Sequence, residues 1–456
     1  MRITFEIPEQ LLHRMLADVP IPEMALVRYT MPAPAPIADI GAAVAEELRR
    51  PEVAGSIRPG QRIAIGVGSR GIARLAETVA ALVRELRGLG AEPFIVPAMG
   101  SHGGATAEGQ RQVLAHLGVD EAHTGAPVVS DMAVEEVGRT DDGIAVCLDR
   151  QALAADGIVF VARVKPHTAF RGPYESGLAK MVAIGLGKQA GAAACHAAGF
   201  GDMARRVPAL AAVAIARAPI RFGLAVLENA HDEPFKLVAV PGERILADEP
   251  ALLEEAKAAM PRIPFEQLDV LVIDQIGKNI SGDGADPNIT GRYPTPYASG
   301  GPRVTKQLVL DLTDETDGNA NGIGTADFTT VRAAGKMDFG RTYPNGLTST
   351  VVGPVSLPMV LPSDRLALAA ALLTCNAVGR APRVLRLAHT LQLHQFTVSA
   401  SLLEEVAADE RLALAAGPGP LPFDGDGNLR DLGRPGRLLL EAARRAPVLS
   451  PAAAGD

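Results

Sequence analysis

The chain has no tryptophan, only 5 tyrosines and 12 phenylalanines, and three cysteines among its 456 residues. With so little aromatic mass, the core must be filled by Ala, Val, Leu and Ile. Cys147, Cys195 and Cys375 are too few and too scattered for a disulfide framework or a thiolate metal cage. There is no run of about 18 apolar residues that could span a bilayer. The opening MRITFEIPEQ lacks the basic flank and apolar centre of a secretion signal, so cytoplasmic residence is expected and no membrane partner. Positive charge is in deficit as well. Lys plus Arg total 44 against 52 Asp plus Glu, a formal charge of −8, which excludes the broad basic face a general nucleic-acid binder needs. HExxH, CxxC, Walker A and GxSxG are all missing, so zinc-protease, thiol-redox, P-loop and serine-hydrolase chemistry have no motif behind them.

What is present is a well-packed composition, 47% hydrophobic and 21% charged, with 47 Gly and 35 Pro for tight turns. The length calls for two domains, expected at 1–255 and 256–456. The first 55 residues read as an irregular opening with a short strand around Ile3 to Ile7 and a helix over 39–50. RIAIGV at 62–67 is a compact apolar strand, followed by a helix over 72–87 whose apolar residues recur at helical spacing. EPFIVPA at 92–98 is the next strand, Thr106 is placed to cap a helix to Leu117, and GIVFVARV at 157–164 is a strand apolar enough to be covered on both faces. A helical linker over 250–262, strands at 268–274 and 303–313 and a helix at 363–373 build the second domain, with the tail beyond 413 wrapping around it. This order predicts an α/β fold: two domains with largely parallel sheets flanked by helices, and an active site in the inter-domain cleft.

Gly66, Gly68 and Gly71 satisfy GxGxxG after a strand and before a helix, the context of a dinucleotide site. The acid that should grip a ribose is out of place, since Glu92 opens the next strand instead of closing it, and Arg70 inside the turn offers an anion a bidentate grip. Reactive residues then recur where parallel strands end. Arg70 follows the first strand, His102 the second, Lys165 and His167 the third, and Gln275 and Lys278 the first strand of the second domain. His102 sits among Gly100, Gly103 and Gly104. Lys180 opens a Gly/Ala-rich helical segment, where partial desolvation would suit a covalent anchor, and His196 follows as a metal ligand or a packed histidine. The acidic run 311–317 reads as a solvated loop or a weak hard-cation site.

These residues together resemble the nickel-dependent lactate racemase superfamily, in GSH at 100–102, KPHTAFRGPYESGLAKMVAIGLGKQAGA at 165–192 and IDQIGKNISGDG at 273–284. The resemblance implies inversion at C2 of a 2-hydroxy acid. It also implies a nickel-pincer nucleotide cofactor (pyridinium-3-thioamide-5-thiocarboxylic acid mononucleotide with nickel) and dependence on cofactor-maturation enzymes. It makes His102 and His167 the paired acid–base residues and His196 the protein ligand to nickel. Lys180 would be the covalent anchor, with Lys165, Gly185, Gly187 and Lys188 against the cofactor, and Arg70, Gln275 and Lys278 would hold substrate. The interval from His167 to Lys180 is a few residues longer than in the lactate enzyme, Val67 stands where that enzyme has aspartate, and there is no tryptophan near the substrate. A larger acid, such as the sugar acid gluconate, is therefore expected in place of lactate. The rival expectations are an NAD-dependent 2-hydroxy acid dehydrogenase using the glycine turn, and a non-catalytic organic-anion-binding protein.

Overall fold

The computed structural model describes residues 6–69 and 71–445. Two compact units emerge, one built from 32–261 with 295–298, the other from 6–31, 262–294 and 299–445. The division differs from the expected 1–255 and 256–456 at both ends of the first unit, because the N-terminal segment pairs with strands formed late in the chain.

In the 32–261 unit a five-stranded sheet runs in the order Glu92–Pro97, Arg62–Val67, Gly157–Arg163, Ile220–Glu228, Pro234–Pro241. The first four strands are parallel and the last is antiparallel. Ile63, Ile65, Val159 and Val161 are fully buried, the mark of parallel strands covered on both faces. One cover is the helix Leu75–Gly88, which packs Val79, Leu82 and Leu86 into a cluster with Ile40, Val44 and Leu48 of the helix Ile40–Arg49. The predicted helix over 72–87 thus starts three residues late, because Arg74 adopts a left-handed conformation (φ 57) that no helix can include. Thr106 caps the helix Ala107–His116 by accepting from Gly109 N at 3.1 Å, as its position predicts.

In the other unit an eight-stranded sheet is parallel across Met359–Leu361, Phe328–Thr330, Arg303–Leu312, Gln267–Ile276 and Val384–Leu387. It continues antiparallel through Gln395–Ser399, Met24–Tyr29 and Leu412–Gly419. The Ala-rich helix Asp364–Thr374 is buried against the sheet's apolar face. Two readings are corrected here. The opening segment supplies a buried strand in the middle of the antiparallel part, and the tail beyond 413 begins inside a strand. The expected strand around Ile3 to Ile7 lies largely outside the described residues, and Glu9–Leu16 after it is a helix. Among the described residues no helix is long and apolar enough to cross a membrane.

Candidate functional site

Three neighbouring parallel strands of the five-stranded sheet end side by side, and each end leads into a segment the sequence singled out. After Arg62–Val67 comes the glycine turn, after Glu92–Pro97 the His102 loop, and after Gly157–Arg163 the Lys165–His167 segment. In parallel α/β sheets such adjacent carboxyl ends form the ligand crevice. Arg70 lies outside the described residues. The turn around it is held from below: Ala73 N donates to the buried Glu228 at 2.8 Å, and Arg163 pairs with that carboxylate at 2.5 Å. Gly66 and Gly68 serve packing. A Cβ on Gly66 would stand 3.0 Å from Phe160 Cβ, and one on Gly68 3.1 Å from Met181 Cε.

His102 and the glycine turn are joined directly, Ser69 Oγ hydrogen-bonding His102 Nδ1. When Nδ1–H is the donor, Nε2 is left as the accepting nitrogen. His167 is held differently. Its Nδ1 accepts from Ala169 N at 3.0 Å, which places the neutral ring's proton on Nε2. Its backbone N donates to Glu175 at 2.8 Å, and that fully buried carboxylate also meets Arg171 at 3.2 Å and Lys257 at 3.0 Å. The His167 ring packs on Phe170, centroids 4.5 Å apart, and on Phe200 at 5.9 Å. His196 meets the same Phe200 edge-on at 5.3 Å, so the two imidazoles bracket one phenyl ring.

Lys180 closes the short turn Leu178–Lys180, and a π-helical turn, Met181–Gly185, follows at once. Such wide turns recur at functional sites because they re-aim side chains. The turn carrying Lys180 is capped by a carboxylate from the helix Ile245–Ala259, Ala179 N donating to Glu249 Oε2 at 2.7 Å. A Cβ on Gly177 would overlap the other Glu249 oxygen, so glycine is required there by a side chain from a distant helix.

His196 ends the helix Lys188–His196. Burial, with help from the nearby Lys180 charge, pushes its imidazole down to about 4, so it is neutral at physiological pH, as a metal ligand must be. Its Nδ1 is buried without a hydrogen-bond partner. A buried polar atom left unmatched costs stability unless something else satisfies it. Among the described residues no group of three or more His, Cys, Asp or Glu stands ready to hold a metal. His196 is therefore a single donor, and a metal there needs its other ligands from a bound group. Cys195 does not join it, since the buried Sγ turns to Met203 Sδ at 3.5 Å and burial pushes the thiol up to about 11.

Three expected cofactor contacts are placed otherwise. Lys188 is fully buried, 2.8 Å from Asp149 and donating to Pro97 O at 2.5 Å and Gln110 Oε1 at 3.2 Å. Gly185 and Gly187 are small because backbone occupies the space beside them: a Cβ would meet Ala98 O at 2.7 Å and Ala183 O at 2.8 Å respectively. These three residues pack the protein against itself. Lys165 pairs through its backbone with Ser176, closing the base of the His167 loop. In the other unit, Gln275 lies at the end of Gln267–Ile276 and donates from its backbone to Ala388 O at 2.9 Å. Lys278 follows, its Nζ donating to Gly282 O at 2.7 Å. The acidic run 311–317 is spoken for by basic residues, Asp311 meeting Lys336 at 3.0 Å and Asp317 meeting Arg341. Sequence reading missed Ser69, Gln110, Glu175 and Glu249. Ser69 and Glu175 lay inside or beside the singled-out segments, but Gln110 and Glu249 carry no local signal.

Residues 12–207 match the family described as the lactate racemase N-terminal domain. A solved structure, the lactate racemase apoprotein from Thermoanaerobacterium thermosaccharolyticum, is 12% identical, with a TM-score of 0.46 over 75% of this chain and 87% of that one. No curated protein matches the chain. The family match bears out, over residues 12–207, the resemblance to the lactate racemase superfamily read from residues 100–102 and 165–192.

Proposed function

We propose that the protein is a cytoplasmic racemase or epimerase that inverts C2 of a 2-hydroxy acid, working with a nickel-pincer nucleotide. The observation that carries this reading is the grouping on one sheet edge. His102 and His167 follow the two strands that flank Arg62–Val67, and a neutral His196, its Nδ1 buried without a hydrogen-bond partner, shares Phe200 with His167 and the electrostatic field of Lys180. His196 and Lys180 are the residues that would hold the cofactor, one by its nitrogen and the other by a covalent bond to Nζ. When bound, that group would supply an acceptor that takes the C2 hydride and returns it to either face.

The chain's own residues supply the proton chemistry. Plain deprotonation at C2 would set a carbanion beside a carboxylate, whereas loss of hydride from C2 and of a proton from the hydroxyl yields a neutral ketone beside that carboxylate. With Nδ1–H donating to Ser69 Oγ, His102 would take the hydroxyl proton at Nε2. His167 is the ring that offers an N–H, steered by Ala169. Inversion in the opposite sense requires the two to exchange roles, at the cost of the bond from Ala169. Phe170 and Phe200 give His167 an apolar wall that keeps water from competing for its ring. Arg70, Gln275 and Lys278 would bind the acid, as the resemblance implies. The missing tryptophan and Val67 favour a substrate larger and more polar than lactate, such as gluconate.

The test is expression with the cofactor-maturation enzymes, followed by intact-mass analysis and a chiral assay over lactate and aldonic acids. The wild type should carry a covalent adduct that Lys180→Ala lacks. His102→Ala and His167→Ala should each lose turnover by about 10²–10⁴-fold while keeping the adduct. Full epimerisation by both histidine variants would defeat the paired roles.

A further inference from the structure

Behind the sheet edge, a buried chain of contacts links the His102 loop to the segment that carries Lys180 and His196. Lys188 lies midway between those two residues, in a left-handed conformation (φ 51) that a non-glycine residue adopts only when its surroundings enforce it. Its ammonium is fully enclosed and reaches Asp149, Pro97 O at the end of the second strand, and Gln110 Oε1. Gln110 is fully buried too and turns its other end toward the loop, Nε2 donating to Gly100 O at 2.9 Å and to His102 O at 3.2 Å. A second tie runs in parallel: Gly100 N donates to Gly185 O at 3.2 Å, from the π-helical turn that follows Lys180. The loop has little freedom of its own. Gly100, Gly103, Gly104 and Ala105 all have positive φ, and a Cβ on Gly103 would stand 2.6 Å from Gln110 N.

We infer that Lys188 and Gln110 form a positioning clamp that sets His102 in register with the Lys180–His196 segment. The inference rests on the proposed racemase reading for its catalytic meaning, but the clamp itself is a property of the loop. Lys188 and Gln110 are positioning residues, since both side chains are fully buried and neither is open to a ligand at the sheet edge. Only a group with a donor at one end and an acceptor at the other can bridge an ammonium and two carbonyls, which is the combination a glutamine amide provides.

Gln110→Glu isolates the arm that matters. It keeps an acceptor for Lys188 but sets a carboxylate oxygen against the carbonyls of Gly100 and His102. Two measurements on the full-length, cofactor-loaded protein decide the matter: amide hydrogen exchange by segment, and kcat against pH relative to wild type. Exchange over residues 100–105 should quicken roughly tenfold while the 157–163 strand keeps its protection. At pH 8 kcat should fall by about 100-fold with KM little changed, as expected for misplacement of a base. The ratio of variant to wild-type kcat should climb as pH falls, because the introduced carboxyl can donate again once it is protonated. Faster exchange across the whole unit, unchanged loop exchange, or wild-type kcat with a loosened loop would each overturn the clamp. An inactive wild type would defeat the reading of function instead, leaving the exchange result to decide the clamp.

Discussion

Among the described residues each unit buries one basic side chain completely, and the two are used in opposite ways. Arg386 is enclosed between two carboxylates, with Asp274 gripped at 2.7 and 2.9 Å and Asp431 at 2.9 Å. Those carboxylates in turn accept from Gly433 N at 2.8 Å and Gly436 N at 3.1 Å, so the planar guanidinium staples the tail to two strands. Lys188 has one carboxylate and two neutral acceptors, and through Gln110 its contacts converge on the His102 loop. The difference follows from the head groups. A rigid fork suits a fixed, bidentate staple, whereas a compact ammonium can gather acceptors from several directions around one point. A buried ion pair is weak evidence of stability gained, yet removing one partner is costly because the other charge is left stranded.

That contrast can be broken from either side. The largest loss of stability is expected from Arg386→Met, which strands two buried carboxylates and should cost about 3–5 kcal/mol in denaturant unfolding. Exchange over residues 100–105 should be unaffected. If that loop loosens as well, the two networks are not separate. Lys188→Met strands only Asp149 and should cost less, on the order of 2–3 kcal/mol. Unlike the arginine variant, it should free the His102 loop and lower kcat.

Glu249 sharpens the comparison as a buried carboxylate held by backbone amides alone. Burial pushes its carboxyl up to about 7, with the Ala179 and Leu178 amides pulling the other way. Between its ordinary value of 4.5 and about 7 the folded protein holds a proton that the unfolded chain has released. Stability contributed by this group is therefore present below pH 4.5 and declines as pH rises toward 7. Glu249→Gln keeps the acceptor for Ala179 and should flatten that decline, gaining on the order of 1–2 kcal/mol at pH 8. An unchanged stability profile would show that Glu249 does not titrate in this window.

How much of this was legible in the sequence depended on whether the signal was local. The strands at 62–67, 92–97 and 157–163 announce themselves because parallel strands covered on both faces must be almost wholly apolar. The strand Met24–Tyr29 does not. It sits between proline-rich stretches, and its partners Gln395–Ser399 and Leu412–Gly419 lie far along the chain. The same limit applies to the site. Glycines around His102 and the Gly/Ala run after Lys180 mark places where backbone comes close to something, but what it comes close to is not written beside them. At Gly177 it is a carboxylate from another helix, and at Gly187 it is backbone.

By itself the amino-acid order determined which strands are followed by reactive side chains and which residue types stand there, because apolar patterning and turn residues act over a few positions. Only the tertiary structure decided that Lys188 is sealed inside while Lys180, eight residues earlier on the same segment, is partly exposed. Enclosure is a property of the surrounding elements, and here those elements are Pro97, Gln110 and Asp149, brought in from three other parts of the chain.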